Sequence, residues 1–395
     1  MHSSGRRKFL TKALTGGAAA MVAESLLLGN SGCLQEWLNA SASPVSSSDA
    51  PCNSYKEAFA EREAMFYTRL ERNRVQCDLC FRNCLIENGG RGFCRVRQNR
   101  RGILFSLVYG KPAGLQIDPI EMEPMYHMLP GHSNFCVYTA SCNFRCIHCH
   151  NWHVSQRGPE EIKSERYTPV EIVSEAVNSG CRSISHSINE PTVFYEYMYD
   201  IVKHAKEEGL LTLFHTNGYL SPDALKGILK YTDGVTVDLK AFADKFYREV
   251  SSATLEPVLR TLKIIREAEV HLEIVNLMIP TLNDDRDDIL KMCVWIRNNL
   301  GDEVPLHFNR FTPRYKLTNL PSTPLGTLEA AAGIAYGAGL KYVYIGNVAG
   351  HRHNSTWCPG CGERLIHRTH ISVLDISMKN GTCMKCGYRI QGIWD

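Results

Sequence analysis

The chain has 395 residues, 44% of them hydrophobic and 22% charged, with a formal net charge of +3. That length supports one large domain with small appendages, or two domains, and the composition is ordinary for a soluble globular protein. So small a charge excess gives no ground for a nucleic-acid or membrane-surface partner.

Residues 1–42 read as a targeting segment. Ser4-Gly5-Arg6-Arg7-Lys8-Phe9-Leu10 resembles a twin-arginine export signal, and Ala40-Ser41-Ala42 offers a small-residue cleavage site. The apolar stretch between them is too short and too interrupted for a transmembrane span. Export to the periplasm or cell envelope is the expectation, with a cytoplasmic location as the alternative. Residues 43–74 read as a Ser-rich linker followed, over 57–73, by a charged helix.

The chain has sixteen cysteines, and eleven fall into three tight groups, which read as metal sites more readily than as disulfides. Cys136, Cys181 and Cys293 sit in apolar runs and read as core residues. The first group, Cys77, Cys80, Cys84 and Cys94, lies in a region spanning 75–133. Gly89, Gly90 and Gly92 let the backbone turn so that Cys94 folds back. Zinc and an auxiliary [4Fe–4S] cluster both suit four thiolates, and the spacing does not choose between them. A strand is expected over 103–110.

An apolar run over 134–140 reads as a strand and leads into Cys142-Asn143-Phe144-Arg145-Cys146-Ile147-His148-Cys149. Three thiolates on one tight loop can hold three irons of a [4Fe–4S] cluster and leave the fourth iron open. An open iron can chelate an amine and a carboxylate, the groups on the methionyl end of S-adenosylmethionine. The competing interpretation is half of a zinc knuckle completed by His148 or His150.

Helical and strand patterns then alternate through 134–348. Thr168-Pro169-Val170-Glu171 is a capping box with proline at the first helical position. Strands are expected over 183–188, 211–215, 234–239, 272–278, 305–308 and 342–345. Helices are expected between them, over 193–208, from 221, and over 255–268, 286–298 and 327–337. Repeated units of this length imply a parallel sheet. Asn189-Glu190-Pro191, Thr216-Asn217-Gly218, Asp238-Leu239-Lys240, Asn276, Asn309-Arg310 and Gly346-Asn347 fall at or near strand C-terminal ends. In a barrel-like sheet those ends converge on one face, together with the cysteine loop.

The tail, 349–395, carries Cys358-Pro359-Gly360-Cys361-Gly362 and Cys383-Met384-Lys385-Cys386-Gly387. Two CX2CG knuckles at this separation read as a zinc-ribbon-like site, closed because four thiolates leave no open position. No dense basic and aromatic patch accompanies them, so no nucleic-acid role is expected.

The three-cysteine loop resembles that of the radical SAM superfamily. With Asn189-Glu190-Pro191-Thr192, Thr216-Asn217-Gly218-Tyr219, Asp238-Leu239-Lys240, Asn309-Arg310-Phe311, Tyr344-Ile345-Gly346-Asn347-Val348 and the flanking cysteine groups, the chain resembles the radical SAM enzyme of the AmmeMemoRadiSam system. That family is similar to pyruvate formate-lyase activating enzymes. The resemblance implies an α/β fold with a partial (β/α)6 TIM-like barrel, a [4Fe–4S] cluster on Cys142, Cys146 and Cys149, and bound S-adenosylmethionine. It implies cofactor contacts at Asn189, Glu190, Asn217, Asp238, Lys240 and His148. Phe81 stands where the family usually has proline, and Met122-Glu123 where lysines are expected, which would alter contact with an acidic partner. The implied activity is reductive cleavage of S-adenosylmethionine to a 5′-deoxyadenosyl radical that abstracts hydrogen from a substrate, with a low-potential electron donor as partner. One alternative is an activase that places a glycyl radical on a protein substrate. Another is a non-enzymatic iron–sulfur or zinc protein serving electron transfer or scaffolding.

Overall fold

The structure is a computed structural model and describes residues 62–395. The export-type segment and the linker, as far as residue 61, lie outside the described residues. The helix expected over 57–73 is not what the described part of that segment forms. It makes two short strands, β1 (Arg62–Glu63) and β2 (Tyr67–Arg69), and a 3-10 turn at Glu71–Asn73. Phe66, Arg72 and Asn73 have φ of 55°, 58° and 57°, a left-handed backbone that an α-helix cannot contain. Strand partners override the helical pattern. Strands β3 (Val75–Cys77) and β4 (Leu85–Ile86) extend β2 into a sheet, while β5 (Arg97–Arg100) and β6 (Ile103–Ser106) pair as a hairpin that takes β1 on its edge. The hairpin turns through Arg101 and Gly102, both left-handed, the two-residue turn whose twist matches that of the strands.

An eight-stranded sheet forms the centre. Its strands are β7 (Gly114–Pro119), β8 (Ser133–Tyr138), β9 (Ser183–His186), β10 (Leu211–Thr216), β11 (Gly234–Asp238), β12 (His271–Met278), β13 (Leu306–Arg310) and β14 (Val343–Gly346). They lie in chain order. β8 to β14 run parallel, and β7 joins antiparallel at the edge. Six helices make the crossovers: α1 (Pro169–Asn178), α2 (Tyr195–Glu207), α3 (Pro222–Leu229), α4 (Glu256–Glu267), α5 (Arg286–Leu300) and α6 (Leu325–Gly337). Right-handed crossovers between strands in sequential order put every helix on the same face. The helices accordingly pack on their chain neighbours, α1 on α2, α3 on α4, α4 on α5 and α5 on α6. The capping box is formed as expected: Thr168 Oγ1 accepts from Glu171 N at 3.2 Å, and the Glu171 carboxylate accepts from Thr168 N at 2.7 Å. Ile172, Ile201, Leu225, Leu262, Ile296 and Leu328 from the helices join Ile184, Phe214, Val235, Ile274 and Phe308 from the strands in one buried cluster. Burial of a Leu, Ile or Phe side chain contributes about 1.5–3 kcal/mol, so this layer dominates stability.

The opposite face of the sheet is polar yet buried, with Asn134, Ser183, Ser185, Thr236, Glu273 and His307 alternating with the apolar set. At the N-terminal ends of the strands the chain itself covers this face. Met125 and Met128 lie against Gly234, where a Cβ would crowd them, and His127 N donates to Glu273 at 2.7 Å. The C-terminal tail packs beneath. It holds a three-stranded sheet, β15 (Thr356–Trp357), β16 (Arg364–Thr369) and β17 (Ser372–Ile376), and a small hairpin, β18 (Met378–Lys379) with β19 (Thr382–Cys383). Arg368, fully buried, reaches the Glu121 carboxylate at 3.1 Å and the Tyr126 carbonyl at 2.6 Å. Among the described residues no helix is long and apolar enough to cross a membrane.

Candidate functional site

The loop after β8 is held from both sides. Arg145 N and Ile147 N donate to the Ser251 and Val250 carbonyls at 3.0 Å each. From the N-terminal region, Ser141 Oγ donates to the Cys94 carbonyl at 2.6 Å, and Arg82 Nε to the Asn143 carbonyl at 2.9 Å. Within this frame Cys142 and Cys146 are buried and Cys149 is half-buried. Phe144 N donates to Cys142 Sγ at 3.3 Å, and Cys149 Sγ lies 3.1 Å from Ser155 Oγ. Burial pushes the Cys142 thiol well up, with the Glu190 charge adding to it, and pushes Cys149 up to about 11. A thiol so placed gives up its proton only to a group that supplies positive charge, and iron bound at these sulfurs does so.

The strand ends gather around the loop. Asn217, just past β10, donates from Nδ2 to Asn143 Oδ1 at 2.7 Å and lies 3.7 Å from Cys142 Sγ. Asp238 ends β11 and bonds His215 Nε2 at 3.1 Å and Lys240 Nζ at 2.7 Å. Burial would raise the Asp238 carboxyl, but the Lys240 and His215 charges hold it well below the usual carboxylate range. Burial would likewise lower Lys240, yet Asp238 and the Cys146 sulfur raise it above its ordinary value. A fixed ion pair therefore stands beside the loop. His148 is buried, 6.1 Å from the Phe246 ring, and burial pushes its imidazole down to about 3, so it is neutral.

Two residues expected to face a cofactor are engaged within the chain. Asn189 braces the end of β8: its Oδ1 accepts from Thr139 N at 3.1 Å, and its Nδ2 donates to the Ser141 carbonyl at 2.9 Å. Glu190 is 3% exposed and accepts four hydrogen bonds. Its Oε1 takes Thr192 N at 3.1 Å, Thr216 Oγ1 at 2.7 Å and the Thr192 hydroxyl, and its Oε2 takes Asn217 N at 2.8 Å. Burial raises its carboxyl pKa, and these donors oppose the shift. Glu190 thus caps the turn at Pro191–Phe194 and ties β9 to β10.

Several participants escaped the sequence reading. His215 could have been found, because it lies near the end of β10, two residues before Asn217, at the spacing that returns to one face of an extended chain. Tyr247, whose hydroxyl accepts from Lys240 N at 3.0 Å, carries no local signal. Glu123 does not meet a partner at the surface. It is buried, accepts from Ser185 Oγ at 2.7 Å, and stands 4.0 Å from His215 Nδ1.

The residues present fit a bound cluster with a polar cofactor. Besides the three thiols, Asn143 Nδ2, His148 Nδ1, Asn276 Oδ1 and Asn309 Oδ1 are buried without a partner, all on the loop or on the strands beside it. A buried polar atom left unmet costs about 1–3 kcal/mol, so each is a candidate to meet a bound group. Asn309 Oδ1 lies close against Gly346, where a Cβ would collide with it.

Of the other cysteine groups, the N-terminal one adjoins the loop and the C-terminal one lies in the tail. Cys77, Cys80, Cys84 and Cys94 surround a cavity whose wall includes Asn143. Cys358, Cys361, Cys383 and Cys386 form a compact four-sulfur metal site in the tail, all ligand atoms within 4.8 Å of one another. Gly362 and Gly387, each after the second cysteine of its knuckle, are left-handed at φ 71° and 76°.

The chain is 45% identical over 331 residues to an uncharacterized protein of Methanocaldococcus jannaschii, covering 83% of this chain and 98% of that one. It is 28% identical over 172 residues to the pyruvate formate-lyase-activating enzyme of Clostridium pasteurianum, covering 41% of this chain and 68% of the relative. The pyruvate formate-lyase 1-activating enzyme of Escherichia coli (strain K12) is 23% identical over 225 residues, 53% of this chain and 91% of the relative. The radical SAM superfamily matches residues 136–293, from within β8 into α5. That span carries the three-cysteine loop and the ends of β9 to β12, so the chain carries a radical SAM superfamily domain over these elements.

Proposed function

We propose that this chain is an enzyme that cleaves S-adenosylmethionine reductively and uses the product to abstract hydrogen from a substrate. The observation that carries the reading is the convergence of Cys142, Asn217, Asp238 and Lys240 on one sheet end. Bound at Cys142, Cys146 and Cys149, a [4Fe–4S] cluster supplies the electron and the open iron at which the sulfonium is cleaved. Lys240 sets positive charge beside the Cys146 sulfur, and Asn217 directs an N–H toward Cys142, which together stabilise thiolate. Asp238, held anionic, accepts from cofactor hydroxyls. Neutral His148 offers a ring face beside Phe246. Glu190 acts at one remove, by fixing Asn217. The sheet, open at β14 and lined with helices on one face, suits the partial (β/α)6 barrel of the superfamily, and the compact tail sulfurs suit zinc.

The pyruvate formate-lyase-activating relatives favour a second reading, in which the substrate is a glycyl-radical protein. Anaerobic reconstitution tests the first. Reduced with dithionite, wild-type protein should form 5′-deoxyadenosine. Cys142→Ala, Cys146→Ala and Cys149→Ala should each abolish it, because three thiolates leave no spare ligand. Undiminished product from any one of them would overturn the assignment.

A further inference from the structure

We infer that Cys77, Cys80, Cys84 and Cys94 hold an iron–sulfur cluster and not a zinc ion. The tail provides an internal standard for zinc. One tetrahedral ion with Zn–S of about 2.3 Å draws its four sulfurs to about 3.8 Å from each other. The tail sulfurs meet that demand, with Cys358–Cys386 at 3.5 Å and Cys361–Cys383 at 3.7 Å. Among the described residues, no other three His, Cys, Asp or Glu ligand atoms lie within 4.8 Å of one another. The N-terminal four are therefore too widely spread for a single ion. They share that spread with Cys142, Cys146 and Cys149, where a cubane would stand between the sulfurs.

All four sulfurs line one small cavity, with Leu79 and Val193 as apolar walls. None of the four is in a disulfide. Hydrogen-bond donors point at the sulfurs: Phe93 N reaches Cys84 Sγ at 3.4 Å, and Arg97 Nη1 reaches Cys77 Sγ at 3.6 Å. Arg97 is 1% exposed and is held in place by Glu196 and by the Met65 carbonyl. Four thiolates with an iron–sulfur core carry net negative charge in a dry site, and the Arg97 N–H directed at Cys77 stabilises thiolate there.

Metal counting on the full-length protein tests this separately from the loop. The triple variant Cys142→Ala/Cys146→Ala/Cys149→Ala, purified anaerobically and reconstituted with iron and sulfide, should keep about four iron and four sulfide per chain. Reduced with dithionite, it should show a paramagnetic signal that S-adenosylmethionine does not perturb. An iron-free triple variant with about two zinc per chain would overturn the inference. Should that variant fail to fold, Cys80→Ser/Cys84→Ser in the otherwise native chain decides. Iron should halve with zinc unchanged, and unchanged iron with zinc reduced would mean the site is zinc. Failure of the loop reading looks different, since iron would then be equal in wild type and the triple variant.

Discussion

Glu190→Gln isolates what the buried carboxylate does. Four donors converge on it, two of them backbone N–H groups that cannot turn away. A carboxamide keeps one acceptor oxygen, best placed against the three donors on the Oε1 side. Its NH2 group then faces Asn217 N–H, donor against donor. That backbone N–H, now bonded at 2.8 Å, is left buried and unmet. Losing a hydrogen bond to a charged group costs about 1.5–3 kcal/mol, and the bonds remaining at Oε1 become neutral and weaker. We expect a stability loss of about 2–3 kcal/mol. Displacement of Asn217 should also weaken S-adenosylmethionine binding about tenfold, at ~1.4 kcal/mol per tenfold. Urea denaturation and equilibrium titration of the anaerobic protein measure the two effects. Thr216→Val serves as comparison: it removes the hydroxyl that donates to Glu190 and accepts from Gly218 N at 3.1 Å while keeping the carboxylate, and should cost about 1–2 kcal/mol. Stability within about 0.5 kcal/mol of wild type, the range of an ordinary surface change, would refute the argument.

The tail and the covered sheet end give two more expectations. Cys358→Ser or Cys383→Ser should release the tail metal and loosen the cluster around Tyr126, Tyr342 and Leu365 while iron per chain stays constant, and iron loss with retained zinc would reverse the assignment. Burial pushes His127 down to about 3, with Glu273 opposing and His271 and Arg368 adding to the shift, whereas the unfolded ring titrates near pH 6.5. Because the folded value is the lower, the contribution is complete above about pH 6.5 and is lost as pH falls toward 3, at about 1.4 kcal/mol per unit. The pH slope of urea stability between pH 6 and 4.5 should be shallower in His127→Gln by about that amount, and an identical slope would show that the ring is not buried neutral.

Much of the site was legible because its signals are local. The cysteine loop is a spacing within eight residues, and the capping box and strand-end motifs follow from periodicity along single elements. What could not be read depends on partners far away in the chain. Residues 62–69 look helical in isolation, but they become strands because residues 75–77 and 105–106 pair with them. Glu190 looks like a free carboxylate at a strand end until β10 brings Thr216 and Asn217 beside it. Asn189 likewise looks available until the end of β8 brings Thr139 beside it. Nothing near Arg368 announces that it will pair with Glu121, 247 residues earlier. The metal at Cys77, Cys80, Cys84 and Cys94 was open because sequence spacing does not fix how far apart the sulfurs stand.

His127 bonds the Gln391 carbonyl at 2.8 Å across 264 residues, and Leu129 N bonds Ile393 at 2.8 Å beside it. A contact of that span must close nearly the whole described chain before it contributes, so it forms late in folding. During synthesis every parallel strand emerges before the C-terminal tail that completes the cover at this end. The nascent protein therefore passes through a stage with Tyr126, Tyr342 and Tyr344 uncovered, a surface prone to association. A chain ending a few residues early, or carrying a bulky C-terminal extension close to Ile393, would dwell at that stage. Soluble yield should then follow the integrity of the last five residues more closely than that of any surface loop.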